Sequence, residues 1–204
     1  MDIKSEADKG SSAMEIFRQE VLNCRKCGLA QTRHHVIFGE GSLHAPVFII
    51  GEAPGYEEDM QGRPFIGPSG QMLDKILAAC GFTREEHVFI SNIVRCRPPG
   101  NRVPTPGEAA ICLPWLLKQI DLVDPKILIL LGASALQYMA GPDPRISRER
   151  GNWIVCQNRP AMPVYHPAAL LRNPSLKRDT WEDFKKIVYK YRELADPHHF
   201  SAHV

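Results

Sequence analysis

The apolar positions fall into short unbroken runs separated by stretches with helical spacing. Pro46-Val-Phe-Ile-Ile-Gly51 is the first run, closed by glycine. A run without polar alternation marks a strand buried on both faces. Residues 69–80 place Met72, Leu73, Ile76 and Leu77 on one side and are followed by Gly81, which predicts an amphipathic helix with a glycine stop. Residues 87–94 read as a second strand. Thr105-Pro-Gly-Glu108 joins a capping box to a proline at the first helical position, so a helix is predicted from there to about Leu122. Residues 126–131 form a third buried strand ending at Gly132, and a short helix is expected over 134–140. Strand-like segments follow at 152–156 and 161–165, and a long helix closes the pattern over 176–194.

Alternation of this kind predicts a single α/β domain with a parallel sheet covered by helices on both faces. Ligands of such sheets bind beyond the carboxyl ends of the strands. Three segments rich in polar residues, glycine or proline lie at predicted strand ends: 51–67, 92–102 and 166–172. The sequence places the chemistry there.

The polar stretch 1–12 reads as a disordered lead-in. The domain proper is then 13–195, followed by a flexible tail over 196–204 that carries His198, His199 and His203. At 204 residues, 44% of them hydrophobic, the chain is long enough to bury about 70% of its unfolded surface without a staple.

The net charge of +2 is too small to announce a nucleic-acid partner in bulk. Residues 141–180 do hold seven Arg or Lys against three acids, a local cluster that by itself is only a solvated face. Met1-Asp2-Ile3-Lys4 has no secretory character, and no apolar run approaches the roughly 20 residues of a membrane span. A cytoplasmic monomer with no membrane association is therefore expected. Disulfides are not, so six cysteines ask for another explanation.

Cys24 and Cys27 form a CxxC pair, while Cys96 and Cys112 are separated by 15 residues, one at a strand end and one inside the capped helix. Four thiolates suit tetrahedral zinc or a cubane iron–sulfur cluster, and spacing does not separate the two. Cys80 and Cys156 occupy apolar positions and read as buried free thiols.

Gly51-Glu-Ala-Pro-Gly55 followed by Gly62-Arg-Pro-Phe-Ile-Gly67 surrounds one carboxylate and one phenylalanine with turn formers, without the lysine of a phosphate-binding loop. The acidic trio Glu57, Glu58 and Asp59 reads as solvated loop. Two further segments are Ser91-Asn-Ile-Val-Arg-Cys-Arg-Pro-Pro-Gly-Asn-Arg102 and Tyr165-His-Pro-Ala-Ala-Leu-Leu-Arg-Asn-Pro174. Together, in this order and with this cysteine spacing, they closely resemble the family 4, or thermostable-type, uracil-DNA glycosylases, over about residues 24–186.

The resemblance implies a central four-stranded parallel sheet flanked by helices, a three-layer fold, and uracil-containing DNA, double- or single-stranded, as partner. It also implies a [4Fe–4S] cluster on Cys24, Cys27, Cys96 and Cys112. By position, Asn92 is the amide that reads uracil, Phe65 stacks on the extruded base, and His166 donates to uracil O2. Glu52 helps hold the attacking water or the loop, with Gly51 and Ala53 beside it in the substrate pocket. In the wider superfamily an aspartate or asparagine often stands where this chain has Ala53. Leu170, or else Leu171, is the wedge that fills the gap in the duplex. Arg172, Lys177, Arg97 and Arg102 would touch phosphates. The Arg-rich, histidine-bearing insertion of relatives that attach covalently to DNA is lacking after Asn92, so simple hydrolysis is expected. Two rivals stand beside this reading: a zinc-stabilised nucleic-acid-binding module, and a small nucleotide-hydrolysing α/β enzyme. Neither gives Glu52, Phe65, Asn92 and His166 a common purpose.

Overall fold

The computed structural model describes residues 3–204. Its centre is one six-stranded sheet of β1 (Glu40–Gly41), β2 (Val47–Gly51), β3 (Val88–Asn92), β4 (Ile127–Leu131), β5 (Ile154–Cys156) and β6 (Arg159–Val164), in the order β1-β3-β2-β4-β6-β5. The inner four strands run parallel, as expected, and two short antiparallel strands, β1 and β5, extend the edges. Of these, β5 falls within the strand-like segment 152–156, whereas β1, two residues without an apolar run, is left out by the hydrophobic pattern.

Among the described residues, eight α-helices accompany the sheet: α1 (Ile3–Leu22), α2 (Tyr56–Gln61), α3 (Pro68–Ala79), α4 (Pro106–Val123), α5 (Gly132–Ala140), α6 (Ile146–Glu149), α7 (Pro167–Arg172) and α8 (Leu176–Leu194). Alternate side chains of each central strand face opposite layers. Phe48, Ile50, Leu128 and Leu130 pack against Phe17 and Val21 of α1, Leu116 and Ile120 of α4, and Leu136 of α5. Val47, Ile49, Ile90 and Ile129 pack against Leu73 and Leu77 of α3 and Phe184, Ile187 and Val188 of α8. Both faces are dry, which accounts for the unbroken apolar runs. No described helix is long and apolar enough to cross a membrane.

The capping box that predicts α4 is formed. Thr105 Oγ1 accepts from the Glu108 backbone N–H at 3.2 Å, and the Glu108 carboxylate accepts from the Thr105 N–H at 2.8 Å. Cys80 and Cys156 are buried free thiols, and burial pushes Cys80 up to about 12.

Three local readings differ from the structure. Helix α1 begins at Ile3, within the stretch read as a disordered lead-in, while residues 1–2 lie outside the described residues. The tail from Asp196 packs back onto the end of α3. His199 is buried with Nε2 2.8 Å from the Cys80 carbonyl, and Ser201 donates to the Ala79 carbonyl at 2.9 Å. These carbonyls are left open where a helix ends, and a polar tail can satisfy them. The acidic trio is not a solvated loop either. It opens α2, with Glu57 exposed but Glu58 and Asp59 buried. Asp59 accepts from the backbone N–H groups of His34 and His35 at 2.9 and 3.2 Å and so anchors the preceding loop.

Candidate active site

Because the inner strands are parallel, all four end on one rim, and the chain order reverses direction around β2, the arrangement that opens a crevice. The rim borders a cleft of about 600 Å³. Gly51 and Asn92 are direct partners across β2 and β3. Their pairing continues past the strand ends: Ile93 N–H donates to the Gly51 carbonyl at 2.9 Å, and Val94 N–H to the Glu52 carbonyl at 3.2 Å. Leu131 and Val164 are partners at the ends of β4 and β6, and bring Gly132 against His166. Glu52, Ala53, Phe65, Asn92 and His166 all line the one cleft.

Asn92 is 1% exposed, and its Oδ1 finds no hydrogen-bond donor among the described residues. Leaving such an acceptor unpaired costs about 1–3 kcal/mol, so it calls for an N–H from outside the protein. Gly51 makes room for it. A β-carbon at Gly51 would lie 2.4 Å from that oxygen and 2.5 Å from the Phe65 ring.

Phe65 adopts φ +52°, a left-handed conformation costing of order 1–3 kcal/mol for a bulky residue. Neighbours impose it. Arg84 donates to the carbonyls of Pro64 and Phe65 at 2.9 and 2.5 Å, and Gly70 accepts the Phe65 backbone where a β-carbon would come within 1.8 Å. The result is an aromatic ring whose centroid is 5.7 Å from that of His166.

His166 caps α7. Its Nδ1 accepts from the Ala168 N–H at 3.1 Å, which fixes the proton of the neutral ring on Nε2. Burial, with the charge of Arg172 adding to it, pushes its pKa down to about 4, so the ring is uncharged at neutral pH. This geometry gives a directed N–H donor without a formal charge.

Glu52 accepts from Ser134 Oγ in the first turn of α5. Sequence reasoning did not single out Ser134, because a serine after a strand-ending glycine has no special pattern. It also missed Glu58, whose carboxylate accepts from Gly55 N at 3.0 Å and from Ile66 N and Gly67 N at 2.9 Å. That one side chain ties the Glu52 loop to the Phe65 loop.

The expected DNA-facing residues divide. The segment 166–172, placed by the sequence at a strand end without a helix of its own, is helix α7 from Pro167 onward, and its turn gives Leu170 and Leu171 different surroundings. Leu170 is 2% exposed and packs inward, whereas Leu171 is 43% exposed. Leu170 is thus turned into the packed interior, and Leu171 takes the outward position. Arg172 and Lys177 are exposed, with Arg172 on the cleft wall. Arg97 donates to Asn101 Oδ1 at 2.7 Å, and its guanidinium is 5.0 Å from the Tyr56 ring centre. Arg102 also reaches the cleft, but its terminal nitrogens are bound to the Glu108 carboxylate at 2.8 and 2.7 Å. Its charge is largely offset.

On the other side of β3, Cys24, Cys27, Cys96 and Cys112 line a single small pocket together with Arg95 and Trp115. No three His, Cys, Asp or Glu side chains among the described residues stand close enough to hold one metal ion. Four soft thiol donors around one pocket are a donor set that suits a thiolate-bound metal centre, an iron–sulfur cluster among them. Two N–H groups already point at the sulfurs: Arg33 Nη1 lies 3.2 Å from Cys96 Sγ, and the Arg95 backbone nitrogen 3.4 Å from Cys112 Sγ.

Residues 38–185 match the family described as the uracil DNA glycosylase superfamily. A type-4 uracil-DNA glycosylase of Sulfurisphaera tokodaii is 40% identical over 191 residues, covering 90% of this chain and 85% of that protein. The type-4 uracil-DNA glycosylase of Thermotoga maritima is 42% identical over 85% of this chain and 92% of its own. That of Archaeoglobus fulgidus is 37% identical over 83% and 88%. With a matched region that spans the whole rim and relatives this similar over most of their length, the chain belongs to the uracil DNA glycosylase superfamily.

Proposed function

We propose that this protein is a type-4 uracil-DNA glycosylase that hydrolyses the N-glycosidic bond of a uracil extruded from DNA. The observation that carries the residue assignment is the buried, partnerless oxygen of Asn92 at the floor of the cleft. Uracil offers N3–H to that oxygen and accepts at O4 from the amide nitrogen. Cytosine presents the reversed pattern and would leave buried groups unpaired, at roughly 1–3 kcal/mol each.

The target base must leave the stack before any of this is possible. Phe65, already held in its left-handed conformation, offers a face for the base, a contact of about 1–3 kcal/mol. As the glycosidic bond breaks, its electron pair moves to the uracil ring and the sugar gains oxocarbenium character. His166 Nε2–H donates to O2 as negative charge grows there, and donors of this kind are the largest catalytic contribution in comparable reactions. Water, held by Glu52 and oriented through Ser134, then adds its oxygen to the sugar carbon, and the proton it gives up is balanced by protonation of the departing uracil anion. Uracil and an abasic site are the products.

Leu171 fills the vacated space in the duplex, and Arg172 and Lys177 hold the flanking phosphates. Cys24, Cys27, Cys96 and Cys112 would hold a [4Fe–4S] cluster. When bound, that group ties the segment after α1, the end of β3 and α4 into one unit. We place the enzyme in the cytoplasm as a monomer acting on single- or double-stranded DNA.

The test is alkali-revealed strand cleavage of an oligonucleotide with one uracil, under single-turnover conditions. The native chain should cut at uracil and not at cytosine, and Asn92→Ala and His166→Ala should each lose at least about 100-fold. Full activity in both variants would remove these residues from the reaction.

A further inference from the structure

Arg95 heads the fully buried side chains of the protein by volume. Its terminal nitrogens donate to the Phe38 carbonyl at 3.0 Å and to Gln119 Oε1 at 2.7 Å, both neutral acceptors. The ionisable groups that could carry an opposite charge beside it are the thiols of Cys112 and Cys96, with no carboxylate among the described residues in that role. A buried cation without a counter-charge costs several kcal/mol, so something negative belongs beside it. Two buried N–H donors also lack acceptors among the described residues, Arg95 Nε and Trp115 Nε1. Both residues line the pocket bordered by the four cysteines. Arg33 adds a second cation there, with Nη1 on Cys96 Sγ and Nη2 donating to the Cys24 carbonyl at 2.6 Å.

We infer that Arg33, Arg95 and Trp115 surround an anionic four-thiolate centre, with the two guanidinium groups cancelling its charge and all three donating N–H bonds to its sulfurs. This rests on reading the four cysteines as cluster ligands. A core of two positive charges leaves four thiolates with two negative charges in excess, which two arginines balance. Hydrogen bonds and nearby cations draw electron density from the sulfurs, which makes the centre easier to reduce and its thiolates harder to protonate.

The test uses the full-length holoprotein and the variants Arg33→Gln, Arg33→Lys and Trp115→Phe. These spare Arg95, whose loss is expected to prevent folding. Iron and sulfide analysis of the native protein comes first. Midpoint potential at an electrode, and the half-life of the visible absorption under an iron chelator, are then compared. Arg33→Gln and Trp115→Phe should each shift the potential to more negative values and shorten the half-life severalfold, while Arg33→Lys, which keeps the charge, should retain most of the native potential. Native iron content with unchanged potential and half-life in both Arg33→Gln and Trp115→Phe would overturn the inference alone. A native protein without iron would overturn the cluster reading as well.

Discussion

An imidazole that caps a helix through Nδ1 and is pushed down to about 4 has a defined pH signature. In the unfolded chain His166 takes up a proton as pH falls through about 6.5, whereas in the fold it does so near 4. The folded form therefore binds fewer protons between these values. The stability supplied at this position is complete above 6.5 and declines as pH falls from 6.5 toward 4. A neutral donor also predicts that the single-turnover rate shows no histidine limb between pH 5.5 and 8. A rate that falls as pH rises through about 6.5, with that fall lost in His166→Ala, would mean that the ring works as a cation. Phe65, unlike His166, is held in a strained backbone conformation. Under the proposed function that conformation is in place before any base arrives, so the stacking face does not have to be assembled during flipping.

At the scale of elements, α7 makes the sharpest prediction, because adjacent leucines have opposite surroundings. Leu170→Ala should destabilise the protein by about 2–5 kcal/mol in denaturant unfolding, as a large-to-small change in a packed interior. Leu171→Ala should leave stability intact and slow excision from duplex DNA roughly tenfold, with little effect on single-stranded substrate, where no stack has to be wedged open. Equal effects of the two changes on stability would refute the assignment of faces. Elements with a strong period were legible in the sequence. The closing helix α8 has the bounds its periodicity predicts, and Thr105 and Glu108 announced the start of α4. Helices α2 and α7 were not legible, since six residues with proline or glycine at their starts show too little periodicity to stand out. The site divides in the same way. Glu52, Phe65, Asn92 and His166 stand in segments that parallel strands must bring to one rim. Ser134, Arg84 and Arg95 act through partners far along the chain, and Glu58 joins a contact to nearby Gly55 to bonds with Ile66 and Gly67; no local pattern encodes the distant partners.

Across the whole molecule, the docked tail is the part that a truncation can probe. Removing residues 196–204 would expose the carbonyls of Ala79 and Cys80 and strip Arg192 of its contacts to the carbonyls of His199 and Val204 at 3.0 and 2.9 Å. Two buried hydrogen bonds at about 1 kcal/mol each correspond to a fall in Tm of roughly 4–8 °C for a chain of this size, measurable by calorimetry. An unchanged Tm would restore the picture of a frayed end. The pairing of β2 with β3 beyond Gly51 and Asn92 has the widest reach. It makes the arm that bears Asn92 and the arm that bears Glu52 a single stiff plank. Under the proposed function, the span from the pyrimidine ring to the water is then set by that plank and not by the surrounding loops.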